Sequence, residues 1–139
     1  MTTIYGKPAR VMGPAAEADI QALEQELSVS LPSDYRAFVA ENGAGIVGKV
    51  EVYGLGAVKP GPPNLRWLLA GLPARGFVRP RALVPFAELG NGDLIAVLCE
   101  PFEGYPRGAA VYWAPRPSGT YELAPAAASF QEYVTGAQK

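Results

Sequence analysis

Apolar residues recur at helical spacing near the start of the chain, in residues 15–28. The members of this stripe are Ile20, Leu23 and Leu27. A narrow apolar stripe on an otherwise polar segment is typical of a helix that buries one side against a protein core. The pattern therefore predicts a first helix over these residues.

A second helix is expected to follow at once and to form an α-hairpin with the first. Pro32 suits the first helical position, and Gly43 is placed to end the helix. The residues predicted to face the core are Tyr35, Phe38 and Val39.

The pattern changes to a period of two in residues 49–53, which predicts a half-exposed strand. Val50 and Val52 are expected to face the core. The solvent-facing side is expected to carry Lys49, Glu51 and Tyr53.

Proline and glycine then mark two loops, over residues 57–63 and 73–81. Between these loops, Asn64 is placed to cap a short apolar helix. The middle of the chain is therefore expected to hold one helical insertion between strands.

Short apolar segments in the second half of the chain predict an antiparallel meander. The Asn-Gly pair in residues 89–93 lies between two apolar runs and is a strong hairpin signal. The run over residues 94–99 is uninterrupted, which predicts a central strand covered on both faces. Further strands are expected over residues 109–114 and 120–123.

A last helix is expected at the C-terminus. Ser129 and Glu132 have the spacing of a capping box, in which each side chain satisfies a backbone amide of the other. The strands and helices do not alternate as βαβ units, so the pattern predicts an α+β fold. We expect an N-terminal helix pair and a C-terminal helix packed on a mostly antiparallel sheet.

Composition favours one packed domain over residues 1–139. Hydrophobic residues make up 49% of the chain and charged residues 18%, which suffices for a core. The N-terminus lacks the continuous apolar region of a signal peptide, and no stretch approaches the ~20 apolar residues that span a bilayer. We therefore expect a soluble, cytoplasmic protein.

The chain has no histidine and a single cysteine, Cys99. These counts exclude Ser–His and Cys–His nucleophile pairs, histidine metal sites and cysteine-based zinc sites. Cys99 ends a strongly apolar run, so a buried structural cysteine is favoured over a reactive thiol. A carboxylate-dependent enzyme would need two acids that converge in a cleft, whereas the acids here lie in turns and on a polar helix face. We expect no cofactor and no enzymatic activity.

The net charge of −1 provides no basic field that would recruit nucleic acid or an anionic membrane. The charges are nevertheless segregated, because residues 16–41 and 82–106 are acidic whereas residues 57–81 are basic. Two interpretations are open. The acidic segments form a surface that docks a basic protein partner, or they are ordinary solvated faces.

Two adjacent aromatic residues leave a second alternative open. Tyr112 and Trp113 alternate on the strand predicted over residues 109–114, so they point to opposite faces. If the exposed ring joins Tyr53 on an open sheet surface, it is a natural anchor for a partner. If helices cover both faces, all these rings belong to the core.

Four stretches together resemble the SUKH superfamily, which includes bacterial toxin-immunity proteins and a fungal cell-wall regulator. They are LSVSLPSDYRAFVAENGAG, VEVYGL, LVPFAELGNGDLIAV, and VYWAP followed by SFQEYV. The stretches follow one another in the family's order and span nearly the whole chain. Departures at residues 98–100 and 114–116 affect polar positions of the family and not the fold.

The resemblance implies an antiparallel sheet against helices, no cofactor, and binding to partner proteins, notably toxins. We therefore expect a non-catalytic immunity protein that neutralises a cognate toxin, with a basic toxin domain as partner. The alternative is a regulatory or scaffolding protein without a toxin partner. The expected contact residues are Glu51, Tyr53, Glu88, Asp93, Glu100, Glu103, Tyr112 and Trp113.

Overall fold

The structure is a computed structural model that describes residues 2–56 and 59–136. These residues form two four-stranded sheets and four α-helices. The α+β class is thereby confirmed. Residues 57 and 58 of the predicted loop over 57–63 lie outside the described residues. The elements are β1 (Thr3–Ile4), β2 (Lys7–Val11), α1 (Glu17–Leu27), α2 (Ser33–Asn42), β3 (Gly45–Val47), β4 (Val50–Val52), α3 (Leu65–Gly71), a 3₁₀ turn (Pro73–Arg75), β5 (Leu83–Glu88), β6 (Leu94–Leu98), β7 (Ala110–Pro115), β8 (Tyr121–Ala127) and α4 (Phe130–Gly136).

Strands β1–β4 form one antiparallel sheet and β5–β8 a second one, each in chain order. The sheets meet where β4 ends, because the backbone amide of Tyr53 donates to the carbonyl of Phe86 at 2.8 Å. A β-bulge between Pro85 and Ala87 leaves Phe86 without a register partner on β6. The bulge therefore joins the two sheets, a feature that a single predicted sheet does not contain.

The N-terminal α-hairpin is present as predicted. The buried residues are Ile20 and Leu23 on α1, and Tyr35, Phe38 and Val39 on α2. Helix α2 begins at Ser33, so Pro32 precedes the first helical residue instead of occupying it. Its fixed φ and missing amide hydrogen are tolerated equally well at that preceding position.

Helix α4 closes the core against α2 and the second sheet. The ring of Phe130 lies 5.1 Å from that of Tyr35 and 5.0 Å from that of Phe86. The amide of Glu132 donates to the Ser129 hydroxyl at 3.1 Å, which is the serine half of the predicted capping box.

Strand β6 is buried along its whole length, which confirms the predicted central strand. The hairpin that precedes it closes through Leu89, whose amide donates to the Asp93 carbonyl at 2.8 Å. Asn64 caps α3 as predicted, since its side chain accepts from the Trp67 amide at 3.1 Å. Strand β8 extends beyond the predicted residues 120–123. The prediction stopped short because the alanines at the end of β8 have little strand propensity, and it is pairing with β7 that makes them a strand.

Candidate functional site

One face of the first sheet is open to solvent. The register of β2, β3 and β4 places Arg10, Ile46 and Glu51 side by side in one row, and all three are exposed. Ile46 is 41% exposed, and Met12, which follows Arg10 by two residues, is 43% exposed. The opposite side of the sheet faces the core with Val47, Val50 and Val52. We call Arg10, Met12, Ile46 and Glu51 the open face.

The two charges of the open face are available to other molecules. The side chains of Arg10 and Glu51 form no hydrogen bond or ion pair with any residue in the ranges 2–56 and 59–136. Neighbouring strands are about 4.8 Å apart, so the intervening strand β3 separates the two backbones by roughly 10 Å. The exposed Ile46 side chain lies between them.

A groove of about 220 Å³ adjoins the open face, between β4, the end of β5 and helix α4. It is lined by Lys49, Val50, Glu51, Ala87, Glu88, Leu89 and Tyr133. Glu51 belongs to both the groove and the open face, so the two surfaces are continuous. Burial, and to a smaller extent the nearby Tyr112, raises the pKa of Tyr133. Three of the predicted contact residues, Glu51, Glu88 and Tyr112, are thus brought to one side of the molecule.

Tyr53 lies beneath this groove and not on its surface. It is 1% exposed, so the prediction that it shares the solvent-facing side with Glu51 is wrong. The strand ends before Tyr53, and its carbonyl accepts a hydrogen bond from the buried Tyr35 hydroxyl at 2.6 Å. The Tyr53 hydroxyl lies 3.4 Å from the Glu88 carboxylate, and burial together with that carboxylate raises the pKa of Tyr53. Tyr53 therefore helps to position Glu88 and does not contact solvent.

The structure decides between the two aromatic residues of β7. Trp113 is fully buried, whereas Tyr112 is 41% exposed. The register places Trp113 beside Leu94 and Leu123, which are apolar. The prediction of Trp113 as a contact residue is therefore wrong. Its indole N–H has no hydrogen-bond acceptor within the described residues, a deficit that typically costs about 1–3 kcal/mol.

Folding brings together the opposite charges that are segregated along the chain. Arginines of the basic segment, residues 57–81, form ion pairs with acids of both acidic segments. The pairs are Arg66 with Glu26, Arg75 with Glu88 at 3.0 Å, and Arg81 with Glu100 at 2.8 Å. Surface pairs of this kind contribute little stability, but a carboxylate that is paired with an arginine attracts a basic partner less strongly.

The other predicted acids are also engaged and lie apart from one another. Asp93 lies in the β5–β6 turn, 3.8 Å from an Arg116 nitrogen. Glu103 lies in the loop after β6 and accepts a hydrogen bond from the Tyr121 hydroxyl. Among the five predicted acids, Glu51 is therefore the one without a hydrogen-bond or ion-pair partner in the part of the chain that the structure describes.

Sequence reasoning missed three members of the open face, namely Arg10, Met12 and Ile46. Strands β2 and β3 are short, and the alternation in Lys7–Val11 is weak. An isoleucine between glycine-rich turns was the available signal, but its exposure depends on which neighbouring strands it pairs with.

The described residues hold no group of three or more His, Cys, Asp and Glu side chains that could bind a metal ion. None of the helices among them is long and apolar enough to cross a bilayer. Cys99 is buried, which raises the pKa of its thiol to about 12 despite the nearby charges of Arg107 and Arg79.

Cys99 is expected to resist alkylation by iodoacetamide in the native protein at mildly alkaline pH. Only the thiolate reacts, and burial that raises the pKa of Cys99 from about 9 to about 12 lowers the thiolate fraction roughly 10³-fold. Mass spectrometry after timed exposure, with and without denaturant, measures the difference. Because the unfolded thiol ionises first, stability should also fall as pH rises from about 9 towards 12. Native alkylation as fast as that of the denatured chain would contradict this description of Cys99.

The model of one protein family, SMI1/KNR4 (SUKH-1), matches residues 14–136 of the chain. A comparison with curated proteins finds no match. The matched segment includes all four helices, the groove, Ile46 and Glu51, whereas Arg10 and Met12 precede it.

Proposed function

Because the chain belongs to the SMI1/KNR4 (SUKH-1) family, we propose that it is a single-domain immunity protein that binds and neutralises a cognate toxin in the cytoplasm. Membership of this family implies a protein-interacting domain, and the family is generally non-catalytic. The proposed contact surface rests on one observation: the Glu51 carboxylate lies between the exposed Ile46 and the groove and has no partner within residues 2–56 and 59–136.

The open face has the composition of a small interface centre. Met12 and Ile46 are large apolar side chains that remain exposed on the folded chain. A partner that covers them removes apolar surface from water, which contributes about 25 cal/mol for each Å² buried. The flanking charges Arg10 and Glu51 are placed to set the orientation of that partner, as polar rims do in protein interfaces.

The groove favours a basic group of the partner. A lysine or arginine side chain that enters it meets Glu51, which pairs with no cation among the described residues, and then Glu88, which is shared with Arg75. These two carboxylates outnumber the one cation of the groove lining, Lys49. Tyr133 in the groove and Tyr112 beside it provide aromatic rings against which a guanidinium stacks favourably. A toxin domain that binds nucleic acid has such basic groups at its active site.

Replacing Glu51 with lysine is expected to weaken partner binding at least about tenfold, mainly through slower association, and to reduce its dependence on salt. The partner is first captured from the native host with the tagged chain and identified. Its affinity and association rate are then measured by surface plasmon resonance at low and high salt. Glu122→Lys makes the same charge change at an exposed position of β8 and should leave both rates nearly unchanged.

Two outcomes would count against the proposal in different ways. Equal losses, or no loss, in the Glu51 and Glu122 variants would remove the open face as the contact surface. A captured partner that is harmless when expressed without this chain would replace the immunity role with the regulatory or scaffolding role, whatever surface it uses.

A further inference from the structure

A second, larger cleft lies between the C-terminal end of α1, the α1–α2 connection and the segments that flank β5 and β6. Its volume is about 610 Å³. Its polar lining includes Gln21, Gln25, Ser28, Ser30, Arg81 and Arg107. It shares no lining residue with the open face or the groove.

The charges that line this cleft leave one cation without a carboxylate. Glu24 is bound by Arg36 at 3.2 Å and by the Leu31 amide at 2.8 Å. Glu100 is bound by Arg81 at 2.8 Å. Arg107, by contrast, donates only to backbone carbonyls in the part of the chain that the structure describes. Arg107 is therefore the cleft cation without a carboxylate partner among the described residues, although the charges of the cleft and of its ion-paired neighbours, Arg36 and Glu17, cancel.

The guanidinium of Arg107 is held in place before any ligand arrives. Its Nε donates to the Cys99 carbonyl at 3.0 Å, and its Nη2 donates to the carbonyls of Ser30 at 3.1 Å and Leu31 at 3.3 Å. These bonds link the α1–α2 connection to the end of β6. They leave the Nη1 amino group without an acceptor among the described residues. A fixed guanidinium loses little conformational entropy when it binds an anion.

Arg81 is arranged in a similar way. Its Nε and Nη2 atoms donate to the Glu100 carboxylate, and its Nη1 makes no hydrogen bond within the residues that the structure covers. At the C-terminal end of α1, the carbonyls of Glu24 and Gln25 accept from the amides of Val29 and Ser28, respectively.

We propose that this cleft is a binding site for a carboxylate group, which the Nη1 atoms of Arg107 and Arg81 hold together with the serine and glutamine side chains of the α1 end. With Nε and Nη2 of both arginines engaged, each Nη1 group offers single N–H donors, and a charge-assisted hydrogen bond from such a donor to a carboxylate is stronger than a neutral one. The single cation that lacks a carboxylate partner matches a monoanion, and the second charge of a dianionic phosphate would be opposed more strongly by the nearby Glu24 and Glu100. The site is independent of the proposed function and uses different residues.

The test is a titration followed by the side-chain Nε–H signals of the arginines in ¹H–¹⁵N NMR spectra. The probes are the capped tripeptide Ac-Gly-Glu-Gly-NH₂, its Gln counterpart Ac-Gly-Gln-Gly-NH₂, acetate and inorganic phosphate. The Glu peptide is expected to shift the Arg107 signal and to bind at least about tenfold more tightly than the Gln peptide. Acetate that binds as tightly as the Glu peptide would identify a free carboxylate as the ligand, and weaker acetate a carboxylate within a peptide.

Variants of the two arginines provide the controls. Arg81→Gln, at an exposed side chain, and Arg107→Lys, which keeps the charge but loses the planar group that three carbonyls hold in place, should each weaken binding of the Glu peptide severalfold. Arg66→Gln removes an exposed arginine outside the cleft and should change nothing. Tighter binding of phosphate than of either carboxylate, or no shift of wild-type Arg107 with any probe, would overturn the proposal without bearing on the open face.

Discussion

Replacing Phe130 with alanine is expected to lower the free energy of unfolding by about 3–5 kcal/mol. Phe130 is fully buried, and its ring lies 5.0 Å from the Phe86 ring, 5.1 Å from the Tyr35 ring and 5.5 Å from the Phe38 ring. These rings come from α2, β5 and α4, so no single element can move to fill the cavity. A domain of this size has about 5–15 kcal/mol of stability in total.

Urea unfolding followed by tryptophan fluorescence and by circular dichroism measures this loss. The matched control is Phe102→Ala, which removes the same side chain from a half-buried position in the loop after β6. Its main ring contact is with Tyr121 at 6.4 Å, so a loss of about 1 kcal/mol or less is expected. Equal losses at Phe102 and Phe130 would mean that the aromatic cluster does not hold the helices to the sheet.

Replacing Gly54 with alanine is expected to abolish the native fold or to cost more than about 4 kcal/mol. A Cβ atom at Gly54 would lie 1.8 Å from the carbonyl oxygen of Gly43 and 3.0 Å from its carbonyl carbon. The obstacle is backbone, which cannot rotate away as a side chain does. The Gly54 backbone is also held on both sides, by the Pro63 carbonyl at 3.0 Å and the Leu65 amide at 2.9 Å.

Gly71→Ala is the control for this substitution. Gly71 is the last residue of α3, and a Cβ atom there meets nothing within 4 Å. Alanine should be neutral or stabilise the protein by up to about 1 kcal/mol, since glycine is the poorer helix former. Soluble yield and thermal melts compare the variants. A Gly54→Ala protein that melts near the wild-type temperature would contradict the close backbone crossing.

The predictions that succeeded rest on patterns contained within one continuous segment. The α-hairpin was predictable because the core-facing residues of α1 and α2 recur at helical spacing. The β5–β6 hairpin was predictable because an Asn-Gly turn separates two apolar runs. In each case the information lies within about 15 residues, which is the range over which periodicity and turn chemistry act.

The predictions that failed concern which side of an element is covered. Tyr53 follows an alternating strand, but the strand ends before it. Its backbone amide donates to the carbonyl of Phe86 in the β5 bulge. For Tyr112 and Trp113, alternation required that the rings face opposite ways and did not indicate which side is buried. The acidic contact residues were inferred from segments of like charge, but ion pairs join these segments to the basic segment across up to 40 residues of sequence.

The sequence by itself determined the type and order of the helices and of the main strands, the buried central strand and the exclusion of histidine chemistry, because each depends on local periodicity or on composition. Only the tertiary structure decided that there are two sheets, that Glu51 has no side-chain partner among the described residues while the other predicted acids are engaged, and that Arg107 lines a cleft without pairing with a carboxylate there. These features depend on side chains that are distant in sequence and meet only when the chain is folded. The sequence could not indicate them because Coulomb and packing energies depend on distance in space and not on position along the chain.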